Sequence, residues 1–138
     1  MLKWEPAFRE IKIREFNPGT SNKKKIERKE LLRQKIDSKI GKNLKKIQSR
    51  CKNRSLLIDV RFYLYYSDEQ GRTKKDLDNL LKILLDVLSV NMINNKKNPK
   101  EGLGIVMDDS DIRKIICEKQ IVNSTEKEGI DLQISIGH

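Results

Sequence analysis

Cysteine and histidine are nearly absent from this chain: Cys51, Cys117 and His138 are the only ones in 138 residues. Two cysteines are too few for a disulfide framework or a Cys-based zinc site. They read instead as small buried apolar residues of a reducing compartment. With the single histidine at position 138, chemistry resting on an internal His is excluded. No apolar stretch approaches the roughly 20 residues a membrane span needs, and residues 1–20 carry charges throughout. Neither a transmembrane helix nor a secretory signal is therefore expected.

Charge, by contrast, is abundant and unevenly placed. Thirty Lys and Arg stand against twenty Asp and Glu, a net charge of +10. Residues 1–54 hold eighteen basic and six acidic residues, net +12, whereas residues 55–138 hold twelve and fourteen, net −2. The length suits one domain over 1–138, and the 36% apolar residues fall in patterned runs, which excludes wholesale disorder. Cations for phosphates beside carboxylates for a metal are what a nuclease needs. Composition alone fits a ribosomal or architectural protein equally well.

The apolar pattern predicts a β-α-β-α-β-β order and an α+β fold, with helices packed on a mixed sheet of about four strands. Residues 8–16 alternate as a short strand with Ile11 and Ile13 on one face. Asn17-Pro18-Gly19-Thr20-Ser21-Asn22 is a loop, and the basic helical region covers about 22–54. Within it, Ile26, Leu32, Ile36, Ile40, Leu44 and Ile47 form one stripe from Lys23 to about Arg50, with Gly41 splitting or bending the helix. Leu56 to Tyr66 is the clearest strand, with Ile58, Val60, Phe62, Leu64 and Tyr66 sharing a face. A second helix runs from about Asp76 to Ser89, apolar over more than one stripe, so it packs on its own sheet or on a second copy. Residues 90–104 read as an irregular loop. An extended stretch then runs from Ile105 to Val122, broken at Asp108–Asp111, and Ile130–Ile136 closes the chain as a strand.

Two acidic clusters carry the chemistry. Asp76-Leu77-Asp78-Asn79-Leu80-Leu81-Lys82 opens the second helix, with Lys82 one turn beyond Asp78 on the same face. Helix capping and an ordinary surface ion pair explain that segment on their own. Asp108-Asp109-Ser110-Asp111 follows the apolar Ile105-Val106-Met107 and on its own is a solvated turn. Taken together, carboxylates from two elements suit a hard divalent cation such as Mg²⁺, which keeps waters and binds substrate phosphate. A nearby lysine adds positive charge for the same phosphate.

These two motifs in this order resemble the RusA family of Holliday junction resolvases. Gly104-Ile105-Val106-Met107-Asp108-Asp109-Ser110-Asp111-Ile112 and Leu85-Asp86-Val87-Leu88 belong to the same match, which follows the chain from first strand to last. The resemblance implies a homodimeric, Mg²⁺-dependent endodeoxyribonuclease, with Mn²⁺ as a substitute, that cuts four-way DNA junctions by paired symmetric nicks. It implies no small-molecule cofactor and no membrane partner, and a cytoplasmic, nucleoid-associated protein of a prokaryotic or viral context. Asp76, Asp78 and Asp109 match the metal ligands, Lys82 the lysine needed for cleavage, and Lys119 a basic residue of the following strand. The chain departs from the family pattern in the longer segment 90–101, in Asp111, and in the loop 17–22.

DNA contacts are expected from Arg72, Lys74 and Lys75, tethered just before the metal motif, and from Lys23, Lys24 and Lys25 at the start of the basic helix. Fourteen basic against three acidic residues in 22–54 read either as a phosphate-tracking surface or as a solvated face. Tyr63 and Tyr65 either stack on unpaired bases or pack against a neighbouring element. The competing functions are a nucleic-acid-binding protein without catalysis and a metal-dependent nuclease with another branched or single-stranded substrate.

Overall fold

A computed structural model describes residues 2–19, 25–66 and 77–138. Its elements run β1 (Trp4–Pro6), β2 (Ile11–Arg14), α1 (Lys25–Ile40), α2 (Leu44–Cys51), β3 (Leu56–Tyr65), α3 (Leu77–Leu88), β4 (Asn91–Ile93), β5 (Lys100–Glu101), β6 (Ile112–Val122) and β7 (Gly129–Gly137). The fold is α+β, with a mixed five-stranded sheet rather than one of four strands.

β7 lies at the middle of that sheet. Its first half pairs antiparallel with β2 (Ile11↔Leu132) and its last residues with β1 (Trp4↔Gly137). On its other side β7 pairs antiparallel with β3, and β3 pairs parallel with β6 (Ile58↔Ile115, Phe62↔Lys119). The expected strand over 8–16 is corrected to the shorter β2, and β1 precedes that range at Trp4–Pro6. Glu15, with φ at +56°, turns the chain out of β2, and β1 exists because the end of β7 offers it a partner.

Alternation decides which face is covered. Ile58, Val60, Phe62 and Leu64 of β3 and Ile130, Leu132, Ile134 and Ile136 of β7 are buried, facing the helices. Removing each such side chain from water contributes about 1.5–3 kcal/mol. α1 brings Leu32, Ile36 and Ile40 to this core, and α2 brings Ile47 and Cys51. Ile26, expected in the same stripe, is 52% exposed, because the first turns of α1 run beyond the core. Gly41 splits the helix as anticipated: at φ +62° it occupies a left-handed conformation that most side chains resist, and a short 3-10 turn, Gly41–Asn43, joins the two parts.

α3 is buried along Leu80, Ile83, Leu84, Val87 and Leu88, the spacing of a helix seated on its own core. That answers the alternative of a dimer contact through this face: its own subunit covers it. Segment 90–104 is not wholly irregular, since β4 and β5 pair within it as a small hairpin. The chain then returns across the end of α3. N–H groups of Leu103, Ile105 and Val106 donate to the Val87 and Leu88 carbonyls at 2.8–3.0 Å, supplying the carbonyl partners that a helix end lacks. No helix among the described residues is long and apolar enough to cross a membrane.

Candidate active site

Asp78 lies in the first turn of α3, where the helix dipole favours a carboxylate. Lys82 follows one turn later, and both are exposed, on the side of the helix away from its buried row. Neither side chain is engaged in an ion pair or hydrogen bond with another described residue. The next position of that stripe is different: Asp86 pairs with Lys29 of α1 at 2.7 Å, clamping the two helices together. Packing thus fixes α3 through contacts in which, among the described residues, Asp78 and Lys82 take no part.

The second acidic cluster sorts itself by geometry. Asp108 is the N-cap of a 3-10 turn, Asp109–Asp111, and its Oδ1 accepts the Ser110 N–H at 2.9 Å. That backbone hydrogen bond holds the Asp108 carboxyl below the ordinary aspartate value. Asp109 is exposed and its side chain accepts no such bond from a described residue; Asp111 is half-buried. Of the three, Asp109 is the carboxylate best placed to take an external ligand.

The two clusters are attached to opposite ends of α3. Asp78 to Leu88 spans about 15 Å of helix at 1.5 Å per residue. Val106 is bonded to the Leu88 carbonyl at 3.0 Å, and Asp109 hangs from it on three residues, a reach of about 10 Å. Among the described residues, no three His, Cys, Asp or Glu side chains come close enough together to hold a metal ion. Asp76, the first ligand implied by the resemblance, lies outside the described residues, as do Arg72, Lys74, Lys75, Lys23 and Lys24.

The remaining expected residues fall at known positions. Lys25 is exposed at the first residue of α1. Lys119 pairs in register with Phe62, so it faces the helical side of the sheet, and its Nζ lies 5.9 Å from the centre of the Tyr66 ring. Tyr63 is packed, not presented: its hydroxyl donates to Asp131 at 2.7 Å, and the Arg14 guanidinium covers its ring at 4.6 Å. Arg14 also pairs with Asp131 at 2.7 Å. Burial and the hydrogen bond to Asp131 push the Tyr63 phenol up. The backbone N–H of Tyr65 donates to Glu128 at 3.0 Å. Both cysteines are free thiols, Cys51 buried and Cys117 half-buried.

Sequence reasoning placed cations for DNA on the basic helix, before the metal motif and at Lys119, and did not single out those of the strand beside α1. The signal was present: Lys12 and Arg14 alternate with Ile11 and Ile13, so two cations stand on the face opposite the buried isoleucines. No protein-family model matches the chain, and no curated protein matches it.

Proposed function

We propose that this protein is a metal-dependent endodeoxyribonuclease that resolves four-way DNA junctions, acting as a homodimer in the manner of the RusA family. One observation carries the reading. On a helix held by its buried apolar row, the exposed Asp78 and Lys82 stand one turn apart with no ion-pair or hydrogen-bond partner among the described residues. The assignment of Asp76 and Asp109 as fellow ligands rests on the resemblance, supported at Asp109 by its exposure beside a capped, engaged Asp108.

The donor chemistry suits Mg²⁺, a hard cation that takes carboxylate oxygens and retains waters. When bound, Mg²⁺ supplies neutralisation of phosphate charge and a more acidic water. Asp76, Asp78 and Asp109 would hold it. Lys82 would place its ammonium against the scissile phosphate and offset the charge that develops there. Residues of the basic helix would hold flanking backbone, and a two-fold dimer would present equivalent sites to opposing strands of the junction.

Asp78→Asn separates this reading from a protein that only binds nucleic acid. The substitution keeps the size and the position on α3 while weakening a metal ligand. Junction nicking is expected to vanish while junction binding stays within a few-fold of the parent. Nicking at the parental rate would remove the proposed site.

A further inference from the structure

Along the seam between the helices and the β1–β2 edge of the sheet, two concavities open. One, of about 570 Å³, lies between the exposed edge of β2 and α1 and is lined by Lys35 and Lys39 of α1 and, on its outer rim, by Lys12, which also pairs with Glu10 at 4.0 Å. The second, of about 280 Å³, lies beside the start of β2 and the α1–α2 bend, with Arg9, Lys39 and Lys46 in its wall. Lys39 lines both, so the two concavities adjoin along the seam and are together termed the groove. Arg14 and Arg50 also line it but are committed, Arg14 to Asp131 at 2.7 Å and Arg50 to the Ala7 carbonyl at 2.8 Å. Among the described residues, Glu15 is the single acid and Phe8 the single aromatic residue in the lining.

Such an arrangement works against the folded chain. Lys35 and Lys39 stand one helical turn apart, where like charges destabilise the helix, and a concave cluster of cations repels itself. A polyanion relieves both. α1 from Leu31 to Ile40 is about 14 Å long, a length of duplex axis over which one DNA strand presents about four phosphates at about 3.4 Å of rise each. A lone phosphate or nucleotide would leave most of that row unpaired. Nearly free of aromatic surface, the groove offers no platform on which unpaired bases could stack.

We propose that this groove holds the phosphodiester backbone of duplex DNA, a second contact that rests on the nucleic-acid reading above and extends it. The groove follows β2, which is separated from β6 by β7 and β3, about 14 Å across the sheet at 4.8 Å per strand. It lies away from the Asp109 turn, so its contact is to backbone flanking the scissile phosphate rather than to that phosphate itself.

The test compares the full-length protein with the triple variant Lys12→Gln/Lys39→Gln/Lys46→Gln. An equally charged control is Lys96→Gln/Lys97→Gln/Lys114→Gln, at exposed positions outside the groove. Duplex and four-way-junction affinities are measured between about 50 and 200 mM salt. The slope of log K against log salt is expected to fall by about 2.7 in the groove variant, at about 0.9 per lost phosphate contact. The control is expected to keep the parental slope. Thermal melts monitor folding, and removing mutually repelling lysines is expected to leave the melting temperature unchanged or higher.

Equal loss in both triple variants would overturn the groove, because net charge alone would then explain binding. A parental slope in the groove variant would also overturn it while sparing the nuclease. A parent protein that bound neither duplex nor junction would sink the nucleic-acid reading itself. Vesicles containing phosphatidylglycerol provide the last arm: loss of vesicle binding with DNA binding intact would reassign the groove to a lipid surface.

Discussion

Gly102→Ala is the substitution through which the segment carrying Asp109 can be tested against its support. A methyl at this position would lie 2.1 Å from the Ser89 carbonyl oxygen and 2.7 Å from that of Val87. Both are backbone atoms at the end of α3, so relief requires the returning segment to move by about 1 Å to reach an ordinary contact. That movement breaks the Gly102 N–H bond to the Val90 carbonyl, 2.9 Å, and stretches the Leu103 and Gly104 bonds beside it, 2.8 and 3.0 Å. Two or three hydrogen bonds at about 1 kcal/mol each, with carbonyls left unpaired, give a loss of about 2–4 kcal/mol. For a domain of this size, that lowers Tm by about 8–15 °C. Gly41→Ala is the comparison, since it meets nothing within 4 Å and pays only for φ +62°, about 1–2 kcal/mol. Urea unfolding followed by circular dichroism, with m unchanged, measures both. Should Gly102→Ala cost no more than Gly41→Ala, the returning segment is not held as described.

Three further predictions follow from individual groups. The Asp108 carboxyl, held low by the Ser110 N–H, is expected to titrate below the ordinary aspartate value by NMR; a midpoint at or above that value would show that the cap does not persist in solution. Because the folded value is depressed, this group's contribution to stability is present above the ordinary aspartate value and is lost as pH falls through the lowered one. Cys51, pushed up to about 11 by burial, is expected to resist a thiol reagent near about pH 8 until the chain unfolds. Half-buried Cys117, also raised by burial, reacts first, and the reverse order would contradict the packing of α2. Finally, Leu84→Ala, at a site with no exposure, is expected to cost about 2–5 kcal/mol in denaturant unfolding, and a loss below about 1 kcal/mol would mean that α3 is not seated on the sheet.

Much of the fold was legible because side-chain alternation and helical spacing are local signals. β3 alternates so regularly that its buried face follows directly, and so do the apolar positions of β7, although Asp131 and Ser135 between them are buried too; the apolar crowding of α3 marked it as buried. Gly41 announced the break in the long basic helix. What escaped notice depends on partners distant in sequence. β1 is three residues long and exists through pairing with Ser135–Gly137, which nothing within Trp4–Pro6 reveals. β6 read as extended, but its place at the edge follows from strand order, and only that order explains why Ile115 and Ile116 stay 41% and 44% exposed. The candidate site was legible as residue types and spacing. That Asp108 spends its carboxylate on a cap, leaving Asp109 open, required the backbone conformation of the turn. That Asp78 and Asp109 are attached to opposite ends of α3 required the path of segment 102–106.

The central claim is that Asp78 and Asp109 serve one metal-dependent cleavage reaction. The most direct measurement is nicking of a labelled four-way junction, beside a flap and a linear duplex, by the parent, Asp78→Asn and Asp109→Asn, each with Mg²⁺ and with EDTA. Paired symmetric nicks are predicted in the junction alone, by the parent alone, and with Mg²⁺ alone. Cleavage that survives EDTA, or an Asp109→Asn protein that nicks as fast as the parent, would contradict the account.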